Sequence, residues 1–462
     1  MMDIQQIDLL REKVRGPVLQ EGEAGYDEAR VIWNGMIDRK PRVIVRCKGV
    51  ADVIDAVNFG RDNQLDIAIR GGGHNVSGNA VCDGGVMIDL SLMKAAKVDP
   101  VARTAWVQGG AQLGDLDRET QLFALVAPAG VVSDTGVAGL TLGGGTGWVS
   151  GKFGLTVDNL ISVDLVTAEG KYIKASDSEN SDLFWGLKGG GGNFGVATSF
   201  EFHLQDLGPV VMRCMVMYPE DDAENILANW REVLPSLPDE VTTLATLWRI
   251  PAIPAFPDEL HNKSVVTIFA VCACSVEEGE KLVQPLRELG EPLLDLSGPV
   301  PFVDVQQQFD PFFTPQGEKL YYWKSLELYN LDDEVIQSIL DGAKNRADRT
   351  LIVIQAMRGQ YSRVAADATA FGDRSAPFWL ELNSTWLDPK ESDDQIAWTR
   401  NFWSDMQRFS SGKIYLNHPG FDEEDDLVKK AYGDNYERLV ALKDKYDPDN
   451  LFHMNQNIKP SV

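Results

Sequence analysis

The chain has 462 residues, 44% of them hydrophobic and 9% aromatic, a composition that supports two domains and a large core and excludes a disordered chain. Its 69 acids against 43 bases give a formal charge of −26, which argues against nucleic acid or an anionic membrane as partner and fits a soluble acidic surface. No stretch approaches the ~18 uninterrupted apolar residues of a membrane span, and the N-terminus shows no basic region followed by an apolar one. The five cysteines, Cys47, Cys82, Cys214, Cys272 and Cys274, are odd in number and scattered, as in a reducing compartment. Cys272 and Cys274 share a strand face, but no second pair or nearby histidine completes a ligand set. A cytoplasmic protein without a metal site is therefore expected.

Val50, Val53, Ile54 and Val57 recur at helical spacing and predict an amphipathic helix. The strand expected at Asp66–Ile69 delivers the run Ile69-Arg70-Gly71-Gly72-Gly73-His74-Asn75-Val76-Ser77-Gly78. Three glycines before an imidazole let the backbone pass close to a ligand, because no Cβ intervenes. Successive N–H groups in such a loop form a nest for phosphate oxygens. A phosphate-bearing cofactor follows, with His74 placed to touch or bond its reactive part; the alternative is a glycine-rich turn beside a satisfied histidine. Further strands are expected at 86–90 and 105–108, and further glycine loops at Gly109-Gly110, Gly136 to Gly147 and Gly189 to Gly195. Val163–Val166 and Tyr172-Ile173 flank Glu169-Gly170, a hairpin signal. Val196, Thr198, Phe200, Phe202 and Leu204 alternate with more polar residues and predict a half-buried strand, with His203 on its polar side. None of the glycine runs spells G-x-G-x-x-G ahead of a helix, so a Rossmann NAD site is disfavoured. Several loops converging on one long cofactor is the better picture.

From about residue 208 glycine loops give way to strand-like runs at 211–218, 242–249, 264–274, 350–357 and 378–386, with helices at 224–234, 277–289, 333–346 and 393–409. This reads as a sheet backed by helices, with long loops near 251–257 and 299–315. Trp148, Trp323, Trp379 and Trp386 are candidates to line a pocket, aromatic core being their other fate. Tyr436, Leu439, Leu442 and Tyr446 share a helix face that stops at Asp447-Pro448. Beyond it, Asn455 and Asn457 stand one residue apart on an extended segment and point the same way. Their amides suit one polar edge, such as a flavin pyrimidine ring.

The strings RGGGHNVSG, DTGVAGLTLGGGTGWVSGKFGLTVDNLISVDLVTAEG and SDLFWGLKGGGGNFGVATSFEF resemble the FAD-binding domain of the p-cresol methylhydroxylase and vanillyl-alcohol oxidase superfamily. The tail AYGDNYERLVALKDKYDPDNLFHMNQNI resembles the closing motif of its berberine-bridge-enzyme-like branch, which includes bacterial hydroxynicotine oxidase. The resemblance runs from about residue 38 to the C-terminus. It implies an α+β fold: a two-part FAD-binding domain of the p-cresol methylhydroxylase type over 1–207, its core at about 38–207, and a substrate domain over 208–420 with an antiparallel sheet backed by helices. Residues 421–462 would return to the FAD-binding domain.

The resemblance also implies roles. His74 stands where the family attaches the flavin 8α carbon. Arg70, Gly71, Gly72, Gly73, Asn75 and Gly78 would hold the cofactor from one side, the first five at its pyrophosphate. Asp134, Thr135, Gly136, Gly139, Gly143, Gly144 and Gly145 would line it from the other. Gly195 and Val196 would contact it through backbone, and Asn455 and Asn457 would reach the flavin. Many members attach flavin a second time through a cysteine, but the corresponding run here is Gly130-Val131-Val132-Ser133, and Val132 cannot form a thioether. FAD bonded through His74 alone, and a smaller substrate, are expected. The catalytic candidates are Tyr415 and Asn417 in Ile414-Tyr415-Leu416-Asn417-His418-Pro419, read as one face of a strand. A phenol of pKa near ~10 acts as a base only if something favours its phenolate; the other role for Tyr415 is packing or hydrogen bonding, and His418 is read as surface. The function implied is an FAD-dependent oxidase that transfers a hydride from a small alcohol or amine to flavin N5 and reduces O2 to hydrogen peroxide. The rivals are a same-fold dehydrogenase with another electron acceptor and a flavin-carrying binding protein without turnover.

Overall fold

The computed structural model describes residues 4–313, 316–418, 420 and 425–461. The N-terminal reading at residues 1–3, Pro419 of the tyrosine run and the first residues of the C-terminal segment, 421–424, fall outside them.

The fold is α+β and rests on three main sheets. A four-stranded sheet runs Val18–Leu19, Val43–Arg46, Val86–Asp89, Ile67–Arg70, the last three strands mutually parallel. Its central strands are buried on both faces, as parallel strands require. The helix expected from the valine spacing spans Val50–Asp62 and buries Val53, Ala56 and Val57 in the same core. A second, five-stranded sheet is wholly antiparallel, in the order Ala96–Asp99, Thr104–Gln108, Val196–His203, Leu160–Val166, Tyr172–Ser176. The expected hairpin at Glu169-Gly170 joins its last two strands. Val196–His203 is buried on both faces as far as Phe200 rather than half-buried, and His203 is exposed at its end.

The third sheet has eight antiparallel strands and spans residues 210–386. One face packs against the helices Ala223–Val233, Val276–Arg287, Asp333–Gly342 and Ser392–Met406. Side chains alternate across a strand, so the intervening residues form the opposite face, which turns toward the glycine loops. Two features depart from the sequence reading. Leu320–Leu328 is an additional strand, paired with Phe378–Trp386, and is buried along its whole length. Residues 299–315 are not a plain loop: Gly298–Pro301 pairs at the sheet edge and is followed by the helices Phe302–Gln307 and Asp310–Phe313. An edge strand tolerates Pro299 and Pro301, which lack the N–H of an inner ladder.

The C-terminal helix Tyr436–Tyr446 buries Leu439 and Leu442 beside Leu183 and Phe184. Behind it Lys443 and Asp447, both fully buried, pair at 2.6 Å. The segment that follows then runs along the 189–195 glycine loop, where Asn193 Nδ2 donates to Gln456 O and Asn455 Nδ2 donates to Gly192 O.

Candidate active site

One cleft runs between the glycine loops and the non-helical face of the large sheet, and it reaches the C-terminal segment at Met454–Gln456. His74 lines it, and His74 Nε2 lies 2.7 Å from Asp134 Oδ1; Asp134 itself, expected to line the cofactor, is not in the lining and acts from behind His74. The imidazole stacks on Trp33 at 4.6 Å, and Trp33 stacks in turn on Tyr321 at 3.6 Å. Trp33 is locked by its own donors: its backbone N–H reaches Gly73 O and Nε1 reaches Phe313 O. The Asp134 backbone is held by Gln112 Nε2 donating to its carbonyl at 2.9 Å. Its neighbour Ser133 donates from backbone N to Asp310 Oδ1 at 2.8 Å and from Oγ to Asp310 Oδ2. The large-sheet domain thus fastens the loop that carries Asp134.

The sheet wall follows from alternation. Thr242, Leu244 and Thr246 line the cleft from one strand, Leu351, Val353 and Gln355 from the next, Glu381 and Asn383 from a third and Trp323 from a fourth. Register places Val353 and Ser325 on either side of Glu381. The Glu381 side chain is 8% exposed. Among the described residues lining the cleft it is the only carboxylate, and no lysine or arginine faces it. Thr246 Oγ1, Asn383 Oδ1 and the indole Nε1 of Trp323 are buried on this wall without a protein partner, as is Trp148 Nε1, which lines the cleft from the 143–149 glycine loop. Buried polar groups are normally paired, so this wall is built to receive hydrogen-bonding groups from a ligand. Glu381 is the residue that sequence reading passed over; its signal is a lone acid within the alternating run Phe378–Trp386.

Tyr415, Asn417 and His418 close one side. They lie in a turn rather than on a strand, with His418 N–H donating to Tyr415 O. The side chains nevertheless meet: Tyr415 Oη accepts from Asn417 Nδ2 at 2.8 Å and from Gly145 N–H at 3.2 Å. Burial pushes the Tyr415 phenol up to about 12, against the opposing pull of those two donors. His418 is not on the surface. It lines the cleft with Nδ1 3.5 Å from Glu381 Oε2, and burial lowers its pKa more than Glu381 raises it.

Of the other expected residues, Gly71, Gly72, Gly73, Asn75, Thr135, Gly136, Gly139, Gly143, Gly195 and Asn455 line the cleft. Arg70 does not. Its guanidinium turns to Ala29 O at 2.6 Å and Gln316 Oε1 at 3.3 Å, so it braces the loop from behind. Gly78, Gly144, Gly145 and Val196 also lie off the lining, and Gly145 acts through its N–H on Tyr415. Gly72 and Gly136 are glycine because their backbones touch: a Cβ on Gly72 would stand 2.4 Å from Gly136 N. Asn455 and Asn457 do not point the same way, because the chain bends at 454–456; Asn455 and Gln456 reach the cleft and Asn457 does not. Of the four tryptophans, Trp148 and Trp323 line the cleft, whereas Trp379 and Trp386 are core.

The cleft fits a flavin dinucleotide. A Cβ on Gly139 or Gly192, both in the lining, would meet nothing within 4 Å and would project into open space. Ile69, Leu90, Ala138 and Ala197 give apolar walls. At the C-terminal end Asn455 Oδ1 is buried without a partner.

Comparison with known proteins agrees. Residues 41–176 match a family model described as an FAD binding domain, and residues 414–459 one described as berberine and berberine like. An FAD-linked oxidoreductase of Dictyostelium discoideum is 32% identical, covering 97% of this chain and 96% of its own. The (R)-6-hydroxynicotine oxidase of Paenarthrobacter nicotinovorans is 28% identical, covering 97% of each. The crystal structure of 6-hydroxy-D-nicotine oxidase from Arthrobacter nicotinovorans superposes with a TM-score of 0.87 at 27% identity, over 97% of this chain and 98% of that one.

Proposed function

The chain belongs to the FAD-linked oxidoreductases of the berberine-bridge-like type, and from that premise we propose that it is an oxidase of a small amine with an apolar body, its FAD bonded through His74 alone. The observation that carries the substrate class is Glu381. A nearly buried carboxylate with no facing cation pairs best with a cationic ligand, and Trp148, Phe309, Phe313 and Trp323 offer the rest of that ligand an aromatic surround. Hydroxynicotine and tetrahydroberberine, named for two relatives, are compatible in kind.

The bound flavin supplies a two-electron acceptor at N5. The protein's share is binding, orientation and one proton. His74, Asn75, Gly139, Gly192 and Asn455 would hold the cofactor. Glu381 would bind the ammonium, accept its proton at a carboxylate oxygen and leave the neutral amine whose C–H bond can give up a hydride. His418, kept neutral by burial, neither competes with the substrate cation nor repels it. Tyr415, with its pKa near 12, retains its proton at neutral pH and serves as a hydrogen-bond donor, not as the base. Electrons pass to O2, giving hydrogen peroxide, and the chain is expected to work in the cytoplasm.

The test is anaerobic mixing of the purified protein with a panel of matched amines, alcohols and carboxylic acids, followed by admission of air. Bleaching by amines and peroxide on aeration are expected, with Glu381→Gln raising KM for amines. Bleaching without peroxide would mean a dehydrogenase. No bleaching by any compound would leave a binding protein, and bleaching by alcohols alone would overturn the amine reading.

A further inference from the structure

We propose that Asp134 is the residue that makes His74 a nucleophile toward the flavin, and that the bond forms at Nδ1. The inference rests on the His74-linked cofactor proposed above. An ionised carboxylate can only accept hydrogen bonds. At 2.7 Å from Asp134 Oδ1, Nε2 of the neutral imidazole therefore carries the proton, and Nδ1 carries the lone pair. The ring has little freedom to exchange the two nitrogens. Trp33 covers one face at an interplanar angle of 23°, and the side chain is 12% exposed. Asp134 is itself fixed from both directions, by Gln112 Nε2 on its carbonyl and by Asp310 on Ser133. A carboxylate so placed sets the tautomer and offsets the positive charge that grows on the ring as Nδ1 becomes bonded to carbon, as an aspartate does behind a catalytic histidine.

The attachment balances as follows. The Nδ1–C8α bond forms, and one C–H bond of the flavin 8-methyl group breaks. The electron pair of that C–H bond enters the isoalloxazine, which is reduced by two electrons, and the proton goes to the reduced ring. Nε2 keeps its own proton, shared with Asp134. Dioxygen takes the two electrons together with the ring proton and one from solvent, leaves as hydrogen peroxide, and restores the oxidised flavin.

The geometry also accounts for a loop that lacks the second attachment point. Val132 stands beside Ser133 and Asp134. Where a thioether would anchor the loop to the cofactor, Asp310 anchors it to the large-sheet domain, and Gln306 Nε2 donates to Gly130 O at 3.1 Å.

The full-length chain, expressed under riboflavin limitation, is mixed with FAD, and the flavin retained after acid precipitation is followed with time. The attached nitrogen is identified by NMR of the flavin peptide. Wild type is expected to be linked through Nδ1. Asp134→Asn keeps an acceptor for Nε2–H but loses the charge, and should attach roughly 10–100-fold more slowly; Asp134→Ala loses both and should be slower still. Both should bind one FAD non-covalently, with thermal midpoints near wild type. Asp134→Asn, the near-isosteric change, decides the matter if the alanine variant fails to fold. Attachment of Asp134→Asn at the wild-type rate, or a wild-type link through Nε2, overturns the role of Asp134 and leaves the His74 link standing. Wild-type flavin that is wholly released by acid overturns the His74 link itself.

Discussion

Replacing Lys443 by methionine should destabilise the protein and loosen its cofactor end. Nζ has three donors, and all three are used: Asp447 Oδ2 at 2.6 Å, Asn193 O at 2.9 Å and Phe452 O at 3.0 Å. Asp447 also accepts from the N–H groups of Leu451 and Phe452. With both side chains fully buried, methionine would leave a carboxylate without its counter-charge and take the ammonium donor from Asn193 O, while Phe452 O keeps the donor Asn455 Nδ2 at 2.9 Å. Breaking a buried pair from one side costs about 3–5 kcal/mol, and the one orphaned carbonyl, worth ~1–3 kcal/mol, is included in that figure. The double variant Lys443→Met/Asp447→Asn removes the charge and keeps one acceptor oxygen, enough for one of the two N–H groups of Leu451 and Phe452, and should recover about 2 kcal/mol of the buried-charge cost. Urea unfolding of the two variants reads both numbers. Flavin release, followed in a His74→Ala background, should rise in the single variant, because Asn193 and Phe452 hold the C-terminal segment against the 189–195 loop. A single variant within about 1 kcal/mol of wild type, or a double variant no better than the single, would refute the buried-charge argument.

Burial pushes the Asp117 carboxyl up to about 7, against an ordinary ~3.9. Between those values the folded chain holds a proton that the unfolded chain releases, so this group's contribution to stability falls as pH rises from about 4 to about 7. Asp117→Asn should flatten that part of the urea midpoint–pH curve, and an unchanged slope would show that another group carries it. Tyr415→Phe should lower kcat/KM by roughly tenfold, the worth of one hydrogen bond, while leaving the pH profile below about 10 unchanged; loss of a limb would restore the phenol as base. Val132 lines the cleft with 7% exposure, so His74→Ala/Val132→Cys should regain acid-stable flavin where His74→Ala has none. A fully extractable flavin in the double variant would place Val132 out of reach of the cofactor.

Sequence pattern exposed what depends on neighbours along the chain. The spacing of Val50, Val53, Ile54 and Val57 yields a helix because each turn meets one core. The alternation in Phe378–Trp386 yields a strand because one face meets helices and the other a cleft. Pattern could not say which face was which, so Glu381 looked like any half-exposed acid. Leu320–Leu328 escapes pattern because its polar residues do not keep to one face: the two strands are equally buried, but Glu381, Asn383 and Thr385 share a face, whereas Lys324 lies on one face of Leu320–Leu328 and Ser325 and Glu327 on the other. The pairing of Asn417 with Tyr415 was anticipated on the wrong ground, since a turn brings i and i+2 together as readily as a strand face does.

The remaining contacts join elements far apart in the chain, and local pattern carries no information about them. Trp33 reaches His74 across 41 positions and Asp310 reaches Ser133 across 177. These are the contacts that turn a glycine-rich loop into a site. A histidine among glycines can bind a phosphate-bearing cofactor by backbone alone, but orienting an imidazole needs side chains that hold its plane and its proton. Trp33 holds the plane and Asp134 the proton. Both are secured by the large-sheet domain, through Phe313 and Asp310. The domain that shapes the substrate cavity therefore also sets the geometry of His74, and substitutions in the 302–313 segment should alter flavin attachment as well as substrate preference.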